Sequence, residues 1–321
     1  MNYRPKVTII IPVYNGSNFM SQAIDCAINQ TYKNIEILVI NDGSTDNGGS
    51  EKIALSYGES IRYYYKSNGG VSSVLNFALE KMTGEWFSWL SHDDLYYPEK
   101  IEKQIEFLNS LPEDTNLNKT VVHTATESID KYGNVIKTPS YRDIKAKEDT
   151  LETIIGNVYN YRLSGCSFLL PRYCYEDVGG FREDIRTVSD VEYWYRLLFA
   201  GYQFYCMTDS ILVKNRSHGK QVGKTKVSLF ERELEELYIN IADTLVRSDL
   251  NASAVDMERF YLGLVKRGIK KAAKHTKENY LKGHISKLRY SLILPVKEAY
   301  YALFGIARTI ARDIFRKLRV K

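Results

Sequence analysis

Short apolar runs alternate with amphipathic segments over roughly the first 110 residues. The first run is a continuous β-branched one, which is typical of a strand buried in a parallel sheet, and the second is also predicted to be a buried strand. Four strands are predicted at Val7–Ile11, Ile35–Ile40, Ile61–Tyr65 and Trp86–Leu90. The segments between and after them have helical spacing and predict helices at 17–30, 50–57, 71–82 and 98–108. This alternation indicates an α/β fold with an open, mostly parallel, Rossmann-like sheet flanked by helices.

The pattern changes towards the end of the chain. Further strands are predicted at 121–124 and 167–170 and a helix at 191–199, whereas only helices are predicted from about residue 228 onward. We therefore expect a catalytic domain over 1–225, with halves at about 1–110 and 111–225. A helical C-terminal region is expected over 226–321.

Composition narrows the class of protein. The 321 residues are 44% hydrophobic and 26% charged, which excludes a collagen-like, disordered or integral membrane chain. The four cysteines form no CxxC pair, so neither a zinc site nor a disulfide framework is expected. The polar N-terminus lacks a signal-peptide pattern, and no apolar run is long enough to span a membrane. We expect a cytoplasmic protein.

The polar turns after the strands are the candidate site, because ligands bind at the carboxyl ends of parallel strands. The first turn contains Pro12, Tyr14 and Asn15, and the second begins with Asp42. No GxGxxG or GxxxxGK[ST] motif is present, which counts against a dinucleotide-dependent dehydrogenase and a P-loop enzyme. The Asp42 carboxylate can accept a hydrogen bond from a uracil or ribose group, or it is a turn residue alone.

Three later groups of polar residues are also candidates for binding or catalysis. Asp93 and Asp94 follow the fourth strand, where paired carboxylates favour a divalent cation or serve a helix N-terminus. Asp190 begins a predicted helix, as a general base or as a charge favoured by the helix dipole. Arg216 and His218 follow a strand-like segment, and either hold phosphate and metal or are structural.

The order of these motifs resembles the inverting GT-A glycosyltransferases of family 2, of the type that builds bacterial surface polysaccharides. The segments are VTIIIPVYNG, IEILVINDGSTD, NGGVSSVLNFAL and TGEWFSWLSHDDLYYPEKIEKQI, followed by SGCSFLLPR, GGFRED and SDVEYWYRLL. The resemblance covers about residues 5–220. It implies a GT-A fold and a hexosyl- or N-acetylhexosaminyltransferase that moves a sugar from a nucleotide-sugar donor, with UDP expected, to a glycan or lipid-linked acceptor.

The resemblance also implies roles for individual residues. Those expected to line the nucleotide pocket are Pro12, Tyr14, Asn15, Asp42, Asn68 and Gly69. Asp93 and His218 are expected to bind Mg²⁺ or Mn²⁺, and Asp190 to be the catalytic base. The expected donor or acceptor contacts are Asp94, Trp194 and Arg216.

Three positions depart from the family pattern. Ser91 replaces the first acid of the usual DxD motif, Ser189 replaces the Glu of the ED pair, and Leu75 replaces a frequent Arg. These departures favour an alternative, a degenerate transferase that binds nucleotide or scaffolds partners without turnover. Retention of Asp42, Asp93 and Asp190 favours an enzyme. A nucleotidyltransferase is not expected, because its glycine-rich phosphate loop is missing.

The net charge of +5 conceals a strongly basic end. Residues 259–321 contain 17 Lys and Arg against 3 Asp and Glu. Residues 296–319 predict an amphipathic cationic helix, which either lies on an anionic membrane or packs on the catalytic domain. Nucleic-acid binding is not expected, because no recognised module accompanies the charge. We expect a protein bound peripherally to the inner face of the plasma membrane.

Overall fold

The computed structural model describes residues 3–138, 149–160, 163–219, 225–287 and 289–303. The chain divides into two compact units. The first contains residues up to 149 together with 163–225, and the second contains 150–162 and the residues from 226 onward. The segment 150–162 therefore belongs to the second unit, whereas the sequence analysis placed it in the catalytic domain.

A nine-stranded sheet forms the centre of the first unit. Its strands are β1 (Val7–Val13), β2 (Ile35–Asp42), β3 (Arg62–Lys66), β4 (Trp86–Trp89), β5 (Leu95–Tyr96), β6 (Thr120–Ile129), β7 (Val135–Lys137), β8 (Phe168–Pro171) and β9 (Gln203–Arg216). Their order is β3-β2-β1-β4-β8-β6-β9-β5, with β7 paired to β6. Strands β1 to β4 are parallel to one another, whereas β8 is antiparallel to both of its neighbours. The predicted α/β class and mostly parallel sheet are confirmed.

Helices flank this sheet. They are α1 (Met20–Ile28), α2 (Gly49–Ser56), α3 (Val71–Lys81), α4 (Lys100–Ser110), α6 (Tyr173–Val178) and α7 (Ser189–Phe199), while α5 (Thr150–Asn160) belongs to the second unit. Helix α1 is shorter than predicted and begins at Met20. Residues 17–19 instead form the turn that leads into it, where the Phe19 N–H already donates to the Gly16 carbonyl.

Because β1 to β4 are parallel, their carboxyl ends lie at one edge of the sheet. In the register, Val13 of β1 pairs with Asn41 of β2, and Asp42 pairs with Lys66 of β3. The turns after these strands and after β4 therefore converge at this edge. Strands β1, β2 and β4 are buried, as expected for a parallel sheet between helices, whereas the edge strand β3 is only partly buried.

The second unit is helical in its described residues, as the sequence predicted. It contains α5, α8 (Val227–Arg247), α9 (Ala254–Arg267), α10 (Lys270–Thr276) and α11 (294–303). Helix α9 begins with a capping box between Ser253 and Asp256 and ends at Gly268, whose φ of 74° suits glycine. Of the predicted amphipathic helix, residues 304–319 lie outside the described part of the chain. Within the described residues, no helix has the length and hydropathy needed to cross a bilayer.

Candidate functional site

The turn after β1 is tied to the turn after β2 by the side chain of Asn15. Its Oδ1 accepts a hydrogen bond from the Thr45 N–H at 2.7 Å, and its own N–H donates to Ser44 Oγ at 2.9 Å. Asn15 has a φ of 50°, a left-handed conformation that Asn tolerates better than most residues. Pro12 lies within β1, and the Tyr14 side chain is 47% exposed. Tyr14 thus offers an aromatic face at the site, as a nucleobase would require.

Asp42 is buried at the end of β2 and organises the turn after β3. Its carboxylate accepts hydrogen bonds from the Gly69 N–H at 2.9 Å and the Gly70 N–H at 2.8 Å, and from Lys66 Nζ at 2.9 Å. The Asn68 side chain donates to the Asp42 carbonyl at 2.8 Å. The structure therefore brings Asp42, Asn68 and Gly69 together, as the resemblance implied. A carboxylate has about four acceptor positions, so one direction is left for a ligand.

Lys66 is a site residue that the sequence analysis missed. It stands directly opposite Asp42 in the parallel register, and its ammonium group pairs with that carboxylate. The available signal was its position at the end of the third predicted strand, beside the turn at 67–70. The same ammonium group donates to the Ser67 carbonyl at 2.7 Å, so Lys66 holds the turn after β3 against Asp42.

Asp93 and His218 meet at the end of β4, although 125 positions separate them in the chain. Asp93 Oδ2 lies 2.7 Å from His218 Nε2, and both side chains are largely buried. Across the described residues, no cluster of three or more His, Cys, Asp or Glu side chains is available to a metal. One carboxylate and one imidazole fit a cation whose remaining ligands come from a diphosphate, and the imidazole favours Mn²⁺ over Mg²⁺.

Asp94 is buried beside Asp93 and His218, and its hydrogen bonds hold the loop that follows β4. Its Oδ1 accepts from the Arg216 N–H at 2.7 Å, and its Oδ2 accepts from the Cys166 thiol at 3.2 Å. Burial, followed by the negative charge of Asp93, raises the pKa of Asp94 to about 7, despite these hydrogen bonds. Both oxygens are engaged within the protein, and a donor contact by Asp94 stays a prediction.

Arg216 lies beneath the loop rather than on a substrate. Its guanidinium donates to the Asp93 carbonyl at 2.7 Å, to Gln22 Oε1 at 2.7 Å and to the Lys131 carbonyl at 3.2 Å. It also stacks over the Phe19 ring at 4.6 Å. The expectation that Arg216 contacts the donor or acceptor is corrected, because this buried side chain is committed to holding the Asp93 loop.

Asp190 is the second residue of α7 and is partly buried. Its Oδ1 accepts a hydrogen bond from the Val191 N–H at 2.8 Å. Burial raises the pKa of this carboxyl group above the usual aspartate value, because desolvation outweighs that hydrogen bond. A raised pKa makes the carboxylate a stronger base, and the role of Asp190 as the catalytic base stays a prediction.

The expectation that Trp194 contacts the donor or acceptor is corrected by its burial. Trp194 is completely buried and stacks on the Phe168 ring at a centroid distance of 4.2 Å. Its neighbours on α7, Val191 and Leu198, are buried as well. Trp194 therefore belongs to the core face of the helix and presents no surface to a substrate.

Comparison with solved structures defines the class of fold. The chain superposes on residues 1–349 of Staphylococcus aureus TarS in complex with UDP with a TM-score of 0.60 at 18% identity, covering 88% of this chain and 76% of that one. It also superposes on the mannosyltransferase PcManGT from Pyrobaculum calidifontis, in complex with GDP-Man and Mn²⁺, with a TM-score of 0.57 at 16% identity, covering 96% and 88%. These likenesses show a GT-A fold.

Sequence comparison then gives the family. The profile described as glycosyl transferase family 2 matches residues 8–164. An uncharacterized glycosyltransferase of Rickettsia typhi is 41% identical over 251 residues, covering 77% of this chain and 75% of that protein. One of Rickettsia conorii is 42% identical over 252 residues, and there the chain spans only 40% of the relative's length. The chain belongs to glycosyl transferase family 2, which confirms the resemblance.

Proposed function

We propose that the protein is an inverting glycosyltransferase that moves a hexosyl or N-acetylhexosaminyl group from a UDP-sugar to a hydroxyl group of a glycan or lipid-linked acceptor. Such a reaction would contribute to surface polysaccharide synthesis. The observation that carries the proposal is the convergence of Asp42, Asp93 and the turn at Gly69–Gly70 at the carboxyl edge of the sheet. The structural neighbours bound to UDP and to GDP-Man with Mn²⁺ support a nucleotide-sugar donor.

In this proposal the nucleotide lies over the turns after β1, β2 and β3. The Tyr14 ring contacts the base, and the remaining acceptor direction of Asp42 receives a hydrogen bond from the base or ribose. Lys66 holds this carboxylate in place through their ion pair. Asp93 and His218 would hold Mg²⁺ or Mn²⁺, which when bound supplies positive charge for the departing diphosphate.

Transfer is a single displacement. Asp190 accepts the proton of the acceptor hydroxyl while that oxygen forms a bond to the anomeric carbon. The bond from this carbon to the diphosphate oxygen breaks, and its electron pair leaves with the nucleoside diphosphate. A base without a covalent nucleophile gives inversion at the anomeric carbon, by analogy with inverting glycosidases.

A panel of nucleotide sugars tests the reaction. Purified protein with Mn²⁺ is incubated with each donor, and release of free nucleoside diphosphate is measured with and without candidate acceptors. We expect turnover with at least one UDP-sugar and a product of opposite anomeric configuration, read from the proton coupling constant by NMR. Nucleotide binding without turnover for any donor would instead favour the degenerate, scaffold-type protein indicated by Ser91 and Ser189.

We further propose that the C-terminal helices bind the anionic inner face of the plasma membrane. Large apolar side chains of α11 are exposed, with Val296 at 70%, Tyr300 at 64% and Leu303 at 66%. They share one face of the predicted amphipathic helix, in a region rich in Lys and Arg. Exposed apolar side chains among basic ones favour the headgroup plane of an anionic bilayer.

Vesicle sedimentation tests the membrane proposal. Substituting Val296→Ser and Leu303→Ser together removes two apolar contacts, and we expect at least a tenfold loss of binding to anionic vesicles. A matched pair of substitutions at other exposed apolar positions, Leu55→Ser and Val246→Ser, leaves binding unchanged. Equal binding by the Val296/Leu303 variant and the wild type would reject the membrane role and favour intramolecular packing.

A further inference from the structure

The start of α7 is held by a buried pair of hydroxyl groups. Ser189 Oγ lies 2.8 Å from Ser72 Oγ, and the two residues are 117 positions apart in the chain. Each serine is only 4% exposed. Ser189 occupies the position where the family pattern has Glu, so this contact is built from a residue that departs from the pattern.

Ser72 connects this pair to the nucleotide turn. It is the second residue of α3, which follows directly on the Gly69–Gly70 turn. The N–H groups of Gly69 and Gly70 are the ones that donate to Asp42. A helix moves nearly as a rigid element, so the position of the turn after β3 fixes the position of the Ser72 hydroxyl.

A second contact joins the same two segments. Arg186, three residues before Ser189, donates from Nη1 to the Gly69 carbonyl. Gly70 has a φ of 86°, and a Cβ atom built there would lie 2.8 Å from the Arg186 guanidinium. The segment 186–189 is thus held against the nucleotide turn at two points, immediately before the residue assigned as the base.

We propose that Ser189 and Ser72 form a positioning pair that sets the Asp190 carboxylate relative to the donor, in place of the family's Glu. The proposal rests on the proposed function, in which Asp190 is the base. The Asp190 carboxylate accepts a hydrogen bond from the N–H of the next residue, so its location follows the backbone at the start of α7. That backbone is in turn anchored by the Ser189 hydroxyl.

The contacts of Ser189 differ from those expected of an inactive site that has simply lost its Glu. The Ser189 side chain faces another buried hydroxyl at hydrogen-bond distance, and a longer acidic side chain would have to displace Ser72 or turn away from it. Ser189→Glu is therefore expected to lower kcat, although it restores the family pattern. In a degenerate site, the same substitution would raise kcat.

Steady-state kinetics and nucleotide binding test the pair. For Ser189→Ala and for Ser72→Ala we expect kcat to fall about ten- to a hundredfold, because a displacement of about 1 Å has that effect on a reacting group. The donor KM and the UDP Kd stay within twofold of wild type. Ser189→Thr, which keeps the hydroxyl group, recovers most of kcat, and the double alanine variant is no slower than the slower single variant. Ser56→Ala, an exposed serine on α2, is the control.

The outcomes separate this inference from the proposed function. Wild-type kcat in both alanine variants, or multiplication of their effects in the double variant, overturns the positioning pair alone. Parallel losses of kcat and UDP affinity assign the serines to general folding of the site and also overturn it. Absence of turnover in the wild-type protein, or wild-type turnover in Asp190→Asn, overturns the proposed function itself.

Discussion

Glu36 lies near the amino ends of the parallel strands, opposite the candidate site, and its hydrogen bonds hold these strands together. Its replacement by Gln is expected to destabilise the first unit. This buried carboxylate on β2 accepts hydrogen bonds from Thr8 Oγ1 on β1 at 2.7 Å and from Arg62 Nη1 on β3 at 2.7 Å. It also accepts from the N–H groups of Thr83 and Gly84, just before β4. One side chain thus connects all four parallel strands whose carboxyl ends form the candidate site.

The pKa of Glu36 gives the magnitude. Burial raises it, but the hydrogen bonds from Thr8, Thr83 and Arg62 outweigh burial and lower the pKa from 4.5 to about 2. At 1.36 kcal/mol per unit this shift corresponds to roughly 3 kcal/mol of stability. The folded-state pKa is depressed, so this contribution is present above pH 4.5 and is lost as the pH falls towards 2. The Glu36 side chain is almost inaccessible to solvent, but that of Arg62 is 40% exposed, so screening of this pair lowers the contribution somewhat.

Tryptophan fluorescence during urea unfolding measures the effect in the correct unit, since Trp86, Trp89 and Trp194 all lie in the first unit. We expect Glu36→Gln to lower the free energy of unfolding by about 2–3 kcal/mol at pH 7, and the difference to shrink progressively below pH 4. The exposed Glu113→Gln is the control and changes little. A Glu36→Gln loss under about 0.5 kcal/mol at pH 7, or an equal loss at pH 7 and pH 3, would refute this reasoning.

Three further predictions concern the site. Because burial raises the pKa of Asp190, we expect kcat to fall as the pH decreases, with a midpoint above the usual pKa of aspartate. A pH–rate profile without this fall contradicts the assignment of Asp190 as the base. Arg216→Lys removes the guanidinium group that holds the Asp93 loop, and we expect it to raise the half-saturating Mn²⁺ concentration about tenfold. An unchanged Mn²⁺ titration would contradict this role of Arg216 in positioning Asp93. Gly43→Ala places a Cβ 2.7 Å from the Asn68 nitrogen and weakens UDP binding about tenfold by calorimetry. Gly48→Ala is the control: Gly48 has a similar φ, but no atom lies within 4 Å of the added Cβ, and we expect UDP binding to be unchanged.

Continuous apolar runs made most of the sheet predictable. Strands β1, β2 and β4 are buried between helices, so their sequences are nearly continuous apolar runs and the pattern predicted them. Strand β3 is a partly exposed edge strand, and its three consecutive tyrosines predicted it. Strand β5 has only two residues, Leu95 and Tyr96, which is too short for any periodicity to show. Strand β9 runs over 14 residues, whereas only its apolar segment 211–213 was visible, because its other positions mix polar and apolar residues.

The site was less predictable where it depends on contacts between distant segments. The pairing of Asp93 with His218 followed from the family order, but the burial of Arg216 beneath them depends on Gln22 and on a carbonyl near residue 131. No local pattern contains that information. Trp194 is a different case, because Val191, Trp194 and Leu198 have the helical spacing that is typical of a core face. Its expected contact with the donor or acceptor came from the family resemblance alone.

Asp190 is the proposed base of a nucleotide-sugar transferase, and a comparison of wild type with one variant tests this role directly. Asp190→Asn keeps the size and shape of the side chain and removes its basicity. With the donor and acceptor identified by the panel, we expect kcat to fall by about a thousandfold or more, with the UDP Kd within twofold of wild type. Turnover near the wild-type rate would contradict the claim, as would a loss of activity that is matched by an equal loss of nucleotide binding.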